Sequence, residues 1–415
     1  MANIKQKLLL QFGAGKIGRS FIGQLFACGG YRVIFVDIDK EIINELNKRH
    51  NYSVIIKSNE QSKVINIPNV SGIHFQDQEK IKDAINNADI AAISVGKNAL
   101  PNVISLLAEG IHERYKNNPQ SPLDIILAEN MYNAREFVNK ELQRYLPSHF
   151  PIDDYIGLIE TSIGKMVPIM PKEDEETDPL QVFAEPYNTL ILDKHAFKNP
   201  IPDIDGLAPK ENMKAWVDRK IFIHNLGHAA GAYAGYLYNP SFTYIYEVME
   251  VPLLEEYVRK TMKQSAKILY AKYHGEFSWQ ELEEHIEDLI NRFRNSALRD
   301  TVYRIARDLL RKLGPEDRLV KPIKDGQKLN LPVSLLLSAL VFGFYFRKTD
   351  EDGTLFPQDE KFIHFYEQGI PVIMEEICGF NPQNEKENQR IKEAQDIAEK
   401  IDNYEDFSEY LRELL

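Results

Sequence analysis

Three side chains with catalytic potential share one short apolar stretch of this 415-residue chain. Lys220, Asn225 and His228 lie within the run Lys-Ile-Phe-Ile-His-Asn-Leu-Gly-His. Burial disfavours the charged state of an amine, and a lysine that releases its proton near neutral pH is a usable general base. Removing hydride from an alcohol requires such a base, and it requires hydrogen-bond donors for the oxygen on which charge develops. We therefore predict that Lys220 takes the proton and that asparagine amides stabilise the oxygen.

The spacing of these residues is compatible with one helical face. On an α-helix of 3.6 residues per turn, Lys220, Asn225 and His228 project at about 0°, 140° and 80°, so all three can line one mouth. The structural alternative for this pattern is a solvent-exposed lysine, a capping asparagine and a packed histidine. His224 and His228 are four residues apart and could share a metal ion, but the segment lacks a third ligand and the glutamate of zinc proteases. We predict no metal site.

A glycine-rich loop near the N-terminus predicts dinucleotide binding. The loop follows the predicted strand Leu8–Phe12 and opens a helix predicted over residues 16–28. In such loops the first glycine permits a tight turn, the second lets the backbone approach the pyrophosphate, and the third lets helix and strand pack closely. An ordinary glycine turn is the alternative, but the strand before the loop favours a cofactor site. The predicted cofactor-binding residues of this loop are Gly13, Ala14, Gly15, Lys16, Ile17 and Gly18.

An acid and a further glycine extend the predicted cofactor site. Asp37 ends the next predicted strand, nineteen residues after Gly18, at the distance expected for an acid that holds the ribose hydroxyls. Its charge would repel a 2′-phosphate, which favours NAD over NADP. Gly96 and Asn130 follow two later predicted strands, and ligands gather at the carboxyl ends of parallel strands. We therefore include Gly96 among the cofactor-binding residues and expect Asn130 at the same edge of the sheet.

The elements that must position these residues change character along the chain. The first half alternates strand and helix patterns, with strands predicted at 8–12, 32–36, 91–95 and 124–128, which implies a mostly parallel sheet. We predict an α/β protein with an N-terminal Rossmann-type doubly wound sheet over residues 1–200 and a mostly α-helical C-terminal domain over residues 201–415. The main helices predicted in the second half span residues 212–237, 252–272, 279–293, 297–312, 332–346 and 360–378.

Composition excludes several classes of function. The formal net charge is −12, which argues against general binding to nucleic acid or to anionic membranes. Any anionic substrate must therefore be captured by a local basic cluster. The chain has two cysteines, no disulfide framework and no apolar run long enough to span a membrane. We predict a cytoplasmic protein that acts on a small molecule.

Several segments, spread over most of the chain, resemble the polyol-specific long-chain dehydrogenases. The Lys-x4-Asn-x2-His spacing is specific to that family, whereas many dehydrogenases share the glycine loop. The matching segments include Phe12–Arg19, Glu129-Asn130-Met131, Arg219-Lys220, Asn225-x-Gly227-His228, Arg292-Phe293-x-Asn295, Arg311-Lys312-Leu313 and Asp317-Arg318-Leu319.

The resemblance implies an activity and a set of roles. The expected reaction is an NAD-dependent, metal-independent interconversion of a polyol or polyol phosphate and a ketose or ketose phosphate, most directly mannitol 1-phosphate and fructose 6-phosphate. The resemblance implies that Lys220 is the general base and that Asn130 and Asn225 form the oxyanion hole. It also implies that His228 orients the substrate and that Arg292 lines the substrate pocket. Members of the family occur as monomers or homodimers.

One departure from the family lies in the segment Ser162–Pro168. The family usually has an Asp-Arg pair there, with the acid expected to contact substrate hydroxyls, whereas this chain has Gly164 and Lys165. We include Lys165, in the arginine's place, and Asn295 among the predicted substrate-binding residues. The open alternatives are a fructuronate- or tagaturonate-type sugar-acid reductase, a dehydrogenase of phosphate-free mannitol, and a nucleotide-sensing protein without turnover.

A phosphorylated substrate would need nearby cations, preferably arginines that can form bidentate contacts. We expect most basic side chains of the helical domain to be solvated and paired with its abundant acids. The candidates for phosphate binding are Arg292, Arg294, Arg299, Arg311, Lys312, Arg318 and Lys321.

Overall fold

A computed structural model of the chain describes residues 6–131, 133–168, 170 and 172–415. The chain divides into two compact units, Met1–Trp216 and Val217–Leu415. A strand at Leu207–Lys210 pairs with one at Leu190–Asp193, so the first unit continues beyond residue 200, where the sequence pattern predicts the change of domain. No helix within the described residues combines the length and the apolar character needed to cross a membrane.

The first unit is built on an eight-stranded sheet and a smaller three-stranded sheet. Its strands are β1 (Leu8–Phe12), β2 (Arg32–Asp37), β3 (Asn51–Lys57), β4 (Ser62–Pro68), β5 (Val70–His74), β6 (Ile90–Ile93), β7 (Leu123–Leu127), β8 (Ile156–Ser162), β9 (Val182–Ala184), β10 (Leu190–Asp193) and β11 (Leu207–Lys210). The larger sheet has the order β11-β10-β8-β7-β6-β1-β2-β5, and its neighbouring strands are parallel except β8 and β10.

The central strands are buried on both faces, as their continuous apolar runs predict. In β1, Leu8 and Leu10 pack into one hydrophobic cluster, while Leu9 packs into a second cluster on the other face. The predicted α/β fold class with a doubly wound sheet is confirmed. The helices of this unit are a π-helical segment at Gly18–Gly23, α-helices at Gln24–Cys28, Lys40–Arg49, Gln78–Asn87, Leu100–Asn117, Ala134–Tyr145, Ile152–Tyr155 and Lys172–Thr177, and a 3₁₀ turn at Lys194–Ala196.

The smaller sheet, of order β4-β3-β9, is absent from the sequence-based predictions. The antiparallel pair β3 and β4 pairs Asn51 with Pro68 at one end and Lys57 with Ser62 at the other. Only one face of β3 is well buried, through Tyr52 and Val54, so its apolar signal is weak compared with that of the central strands.

The second unit is helical, as predicted. From the helix that leads into it, its helical segments are Met213–Arg219, Lys220–Asn225 (π), Leu226–Tyr238, Ile245–Met249, Pro252–Lys272, Trp279–Phe293, Ser296–Leu298 (3₁₀), Val302–Ala306, Leu309–Lys312, Val320–Lys328, Ser334–Phe344, Pro357–Glu367, Ile370–Val372, Ile373–Ile377 (π), Glu385–Asn403 and Phe407–Leu414.

Two predicted helices of this unit are wrong as single elements. The helix predicted over 297–312 is interrupted by Arg299 and Asp308, whose φ angles of 50° and 75° are left-handed and incompatible with a continuous helix. The helix predicted over 360–378 is interrupted at Gly369, where φ is 105°. Arginine is not a residue type that signals a turn, as glycine, asparagine or proline would be. The sequence pattern therefore predicts a helix that continues past Arg299.

Candidate active site

The glycine loop of the first unit has the conformation that dinucleotide binding requires. Gly13 has φ 95°, and a Cβ at this position would lie 2.5 Å from the carbonyl oxygen of Ser94. A Cβ at Gly18 would lie 2.0 Å from the carbonyl oxygen of Gly13, so this glycine permits the close packing of helix and loop. A Cβ at Gly15, by contrast, would have no atom of the described chain within 4 Å. The loop therefore leaves room at Gly15 for a group from outside the chain.

Asp37 is held against this loop at the carboxyl end of β2. Its Oδ2 accepts a hydrogen bond of 2.6 Å from the backbone N–H of Ala14, and its Oδ1 accepts one of 3.0 Å from that of Asp39. The acid and the glycine loop are thus parts of one arrangement, as the nineteen-residue spacing predicts. Both carboxylate oxygens are already oriented by backbone donors, so the side chain has a defined position toward a ligand.

A cavity of about 320 Å³ lies at this edge of the sheet. Of the predicted cofactor-binding residues, Gly13, Gly15 and Asp37 line it. The lining residues that the sequence did not reveal are mainly apolar and come from the ends of strands and the following helix, so they carry no motif of their own. They are Phe12, Val36, Ile38, Phe75, Ser94, Val95, Ala99, Asn102 and Val103.

The remaining predicted cofactor residues surround the loop without lining that cavity. Ala14 and Gly18 are buried, Ile17 is half-buried and Lys16 is exposed at the start of the helix. Gly96 has φ 83°, and nothing of the described chain lies within 4 Å of a Cβ placed there. The position is therefore open, and its left-handed conformation favours glycine.

Glu129 connects the ends of β6 and β7. Its Oε1 accepts hydrogen bonds from the backbone N–H groups of Val95 (2.7 Å) and Gly96 (3.0 Å). Burial raises the pKa of this carboxyl group above its usual range, although the two backbone donors oppose that shift. Asn130 follows directly and is exposed at the carboxyl end of the sheet, where the sequence predicts it. Glu129 is not among the predicted site residues, although the resemblance includes it in the segment around Asn130.

Lys165, predicted to bind substrate, is buried in the first unit. Its Nζ donates to the side-chain oxygens of Asn188 (2.7 Å) and Gln24 (3.3 Å), and it lies 5.0 Å from the ring centroid of Phe21. These contacts give the ammonium a defined position within its own unit. Its role toward a substrate stays a prediction.

Three of the predicted catalytic residues belong to the second unit. Lys220 and Asn225 lie on a π-helical turn, and His228 lies in the helix that follows it. The turn spans Lys220–Asn225, and the backbone N–H of Leu226 donates to the carbonyl of Ile221, five residues earlier. Each residue of a π-helix turns through a smaller angle than the roughly 100° of an α-helix. Lys220 and Asn225 therefore project closer together than the 140° that regular helix geometry predicts. Such turns occur frequently at functional sites.

The ammonium of Lys220 has properties suited to proton transfer. The side chain is half-buried, and burial together with the neighbouring charge of Arg318 lowers its pKa to about 8, while Asp317 opposes the shift. A lysine with this pKa exchanges its proton near neutral pH, as a general base must.

His228 lies in the α-helix Leu226–Tyr238, which continues from the π-turn. Its ring stacks on Phe293, with centroids 4.4 Å apart and an interplanar angle of 5°. Burial lowers the pKa of His228 to about 4, although Asp300 opposes the shift. His224 is also buried and its pKa is well below the usual value because of burial and the charge of Arg292. Both imidazoles are therefore neutral at physiological pH.

The predicted substrate-binding residues Arg292 and Asn295 lie at the end of the helix Trp279–Phe293, and both are 9% exposed. Nη1 of Arg292 lies 3.4 Å from Oδ2 of Asp288, and Oδ1 of Asn295 accepts a hydrogen bond from the N–H of Ala297. The first contact fixes a guanidinium and the second forms a helix cap. Contact with a substrate stays a prediction for both residues.

The expectation of solvated cations is met only in part. Arg294, Arg299 and Arg311 are exposed, whereas Lys312 and Lys321 are buried at 6% and 7% exposure. Sequence periodicity over 297–312 predicts that Lys312 lies on an exposed helix face. The left-handed residue Asp308 changes the direction of the chain, and the Lys312 side chain is buried instead.

Comparison with known proteins assigns the chain to a family. Residues 7–206 match the mannitol dehydrogenase Rossmann domain, and residues 212–413 match the mannitol dehydrogenase C-terminal domain. The chain belongs to the mannitol dehydrogenase family. The resemblance drawn from the motifs and the predicted enzyme class, a dehydrogenase, are thereby confirmed.

Relatives of this mannitol dehydrogenase family member include two bacterial enzymes named mannitol-1-phosphate 5-dehydrogenase. That of Enterococcus faecalis is 33% identical over 89% of this chain and 93% of the relative, and that of Streptococcus mutans is 31% identical over 90% and 95%. Among solved structures, mannitol 2-dehydrogenase of Pseudomonas fluorescens, in a ternary complex with NAD and D-mannitol, has a TM-score of 0.77 at 14% identity and covers 99% of this chain and 94% of its own. That likeness shows the shared fold.

The first unit fits a dinucleotide cofactor on its own geometry. The open space at Gly15, the cavity beside Asp37 and the free approach at Gly96 lie on one sheet edge. Asp37 presents a carboxylate suited to ribose hydroxyls and unfavourable to a 2′-phosphate. Within the described residues, no group of three or more His, Cys, Asp and Glu side chains is arranged to hold a metal ion.

Proposed function

We propose that this protein is an NAD-dependent dehydrogenase that interconverts mannitol 1-phosphate and fructose 6-phosphate. The observation that carries the proposal is the π-turn, which brings Lys220 and Asn225 toward one face, together with the pKa of about 8 of the lysine that it presents. The bacterial relatives of similar length bear the name mannitol-1-phosphate 5-dehydrogenase, which supports this substrate pair.

Proton transfer is the role of Lys220. In oxidation, the neutral amine removes the proton of the substrate hydroxyl as hydride leaves the carbon that bears this hydroxyl. In reduction, hydride adds to the carbonyl carbon and the ammonium donates a proton to the carbonyl oxygen. NAD, when bound, would supply the hydride acceptor, and Gly13, Gly15 and Asp37 are the residues that would hold it.

Stabilisation of the substrate oxygen is the role of the asparagines. Asn130 and Asn225 each carry an amide N–H₂ that can donate to the oxygen on which negative charge develops. His228 is neutral because its pKa is about 4, so it can orient a substrate hydroxyl without adding charge. Arg292, Asn295 and Lys165 complete the proposed substrate-binding set.

A panel of ketoses tests the proposal. We expect NADH oxidation with fructose 6-phosphate to exceed that with fructose, fructuronate and tagaturonate by about 100-fold or more in kcat/KM, because a site built for a phosphate group strongly rejects analogues that lack this group. Preference for a sugar acid or for free fructose would overturn the substrate assignment. Absence of NADH oxidation with every ketose, in a protein that binds NADH, would instead favour a nucleotide-sensing role.

A further inference from the structure

The second unit concentrates positive charge around Lys220. Arg318 contributes to lowering the pKa values of Lys220, His228 and Lys312, so its guanidinium lies within electrostatic reach of all three. The protein as a whole has a net charge of −12, so its overall field does not attract an anion. The presence of the Arg318 guanidinium beside the proposed catalytic lysine therefore needs an explanation.

Arg318 is held by a single neighbouring acid. Its Nε donates to Oδ1 of Asp317 at 2.8 Å, and its backbone N–H donates to the same oxygen at 2.7 Å. The side chain is only 11% exposed. Within the described part of the chain, the guanidinium makes no other hydrogen bond or ion pair, which leaves Nη1 and Nη2 without a protein acceptor. A largely buried arginine side chain whose two outer nitrogens are oriented and unused is suited to a bidentate anion.

Asp317 cannot neutralise the cluster by itself. Its Oδ2 also pairs with Nη1 of Arg311 at 3.1 Å, so one carboxylate is shared between two guanidinium groups. Arg311 has a second partner in Asp308, at 2.5 Å. When Lys220 is protonated, it carries with Arg311 and Arg318 three positive charges against the two negative charges of Asp308 and Asp317. A protonated Lys312 adds a fourth positive charge and the nearby Asp359 adds a third negative charge, so one positive charge remains that a bound phosphate group could offset.

Several other cations of this unit have protein partners that occupy them. Arg304 pairs with Asp300 at 2.5 Å, and Arg294 pairs with Glu255. Nζ of Lys312 donates to the backbone carbonyls of Ile305 (2.6 Å) and Arg304 (3.3 Å), so its donors hold a turn. Arg318 combines burial, orientation and free donors.

We propose that Arg318 binds the phosphate group of the substrate through Nη1 and Nη2. This inference rests on the proposed function, since it names the residue that recognises the phosphate of that substrate. Nε is held by Asp317, which fixes the plane of the guanidinium, and the fork of Nη1 and Nη2 matches two phosphate oxygens. The same charge favours the neutral amine of Lys220 in the free protein, and the arriving dianion offsets that effect.

Two substitutions and two substrates test the role of Arg318. The measured quantity is the ratio of kcat/KM for fructose 6-phosphate to kcat/KM for fructose, with NADH. In the Arg318→Gln variant we expect this ratio to fall by roughly 100-fold, because a charge-assisted bidentate contact is lost. In Arg318→Lys we expect a fall of about 10-fold, because a point charge replaces the fork. The matched control is Arg259→Gln, an arginine paired with Glu255 and Glu287, which we expect to leave the ratio within about 3-fold.

The pH profile separates a binding role from a structural one. Loss of the neighbouring positive charge in Arg318→Gln should raise the apparent pKa of Lys220 in the pH dependence of kcat/KM, whereas Arg318→Lys should retain most of the lowering. The thermal midpoint and the dissociation constant for NADH report folding. If Arg318→Gln does not fold, the ratio measured with Arg318→Lys decides the matter.

The outcomes distinguish the two proposals. If the wild-type protein shows no preference for fructose 6-phosphate over fructose, the proposed function fails. If the wild-type protein shows that preference and both Arg318 variants keep it, the assignment of Arg318 fails while the proposed function stands.

Discussion

Nε2 of His228 lies 3.5 Å from Oδ2 of Asp300, and both atoms are buried. Asp300 is itself held by Arg304, whose Nε donates to Oδ1 at 2.7 Å. Phe293 stacks on one face of the His228 ring, and Asp300 lies at the edge of the ring. These two neighbours limit the orientation of the imidazole. If the single proton of the neutral imidazole is on Nε2, it lies on the side of Asp300, and Nδ1 is then a hydrogen-bond acceptor.

Substitution of Asp300 should therefore impair substrate orientation. We expect Asp300→Ala to lower kcat/KM for the ketose by about 10-fold or more, because a catalytic-site side chain loses its defined position. The dissociation constant for NADH, measured by fluorescence, should stay unchanged. The near-isosteric Asp300→Asn variant keeps an acceptor oxygen and should lose less. Normal kcat/KM in a folded Asp300→Ala protein would show that Asp300 does not position His228.

The lowered pKa of Lys220 predicts opposite pH dependences for the two directions of the reaction. Oxidation needs the neutral amine, so its kcat/KM should rise with pH and level off above about 8. Reduction needs the ammonium, so its kcat/KM should fall as pH increases through the same region. Initial rates with mannitol 1-phosphate and with fructose 6-phosphate, measured from about two pH units below that pKa to about two above it, would define both limbs. Parallel profiles in the two directions would contradict Lys220 as the proton-transfer group.

Removal of the Lys220 amine should abolish turnover without affecting the cofactor. We expect Lys220→Ala to lower kcat by roughly 10²- to 10⁴-fold, the range typical of general acid–base catalysis. NADH binding, followed by titration of the nucleotide's fluorescence, should remain nearly intact, because the glycine loop belongs to the first unit. Near-normal turnover, or a loss of NADH binding, would be inconsistent with the assigned role.

Gly15 and Gly18 offer a paired test of the cofactor loop. A methyl group at Gly15 meets no atom of the described chain, whereas one at Gly18 falls 2.0 Å from the carbonyl oxygen of Gly13. We expect Gly15→Ala to keep the thermal midpoint and to weaken NADH binding by about 10-fold. Gly18→Ala should instead destabilise the protein by about 1–3 kcal/mol, because the loop must shift. Equal thermal midpoints for the two variants, or unweakened NADH binding in Gly15→Ala, would refute this division of roles.

Asp37 should determine the choice between NAD and NADP. Replacing it with Ala removes the charge that repels a 2′-phosphate, so the preference for NADH over NADPH in kcat/KM should fall by at least about 10-fold. Affinity for NADH should also weaken, because the N–H of Ala14 loses its 2.6 Å acceptor. Asp37→Asn keeps an acceptor but not the charge, and it should change the preference while holding the loop. An unchanged preference in both variants would exclude Asp37 as the ribose ligand.

Local patterns were sufficient for the central strands of the larger sheet and for the family. The apolar runs of β1, β2 and β7, the glycines at 13, 15 and 18, and the acid at 37 are signals between residues close in sequence, and periodicity and spacing detect these directly. The Lys-x4-Asn-x2-His spacing identified the family for the same reason, since all three residues occupy one helical segment. Their roles in catalysis remain predictions.

Tertiary packing decided the features that depend on distant contacts. The π-turn at Lys220–Asn225 departs from regular helix spacing although nothing in its residue types requires it. The left-handed residues Arg299 and Asp308 break a helix that periodicity continues, and the redirected chain buries Lys312. The burial of Arg318 beside an acid that Arg311 shares is likewise invisible in the sequence, where acids and bases simply alternate. The burial of a side chain depends on contacts with many residues that are remote in sequence. Burial in turn sets how strongly neighbouring charges act on one another. Only the folded chain therefore determines the burial of a residue and the strength of its charge interactions.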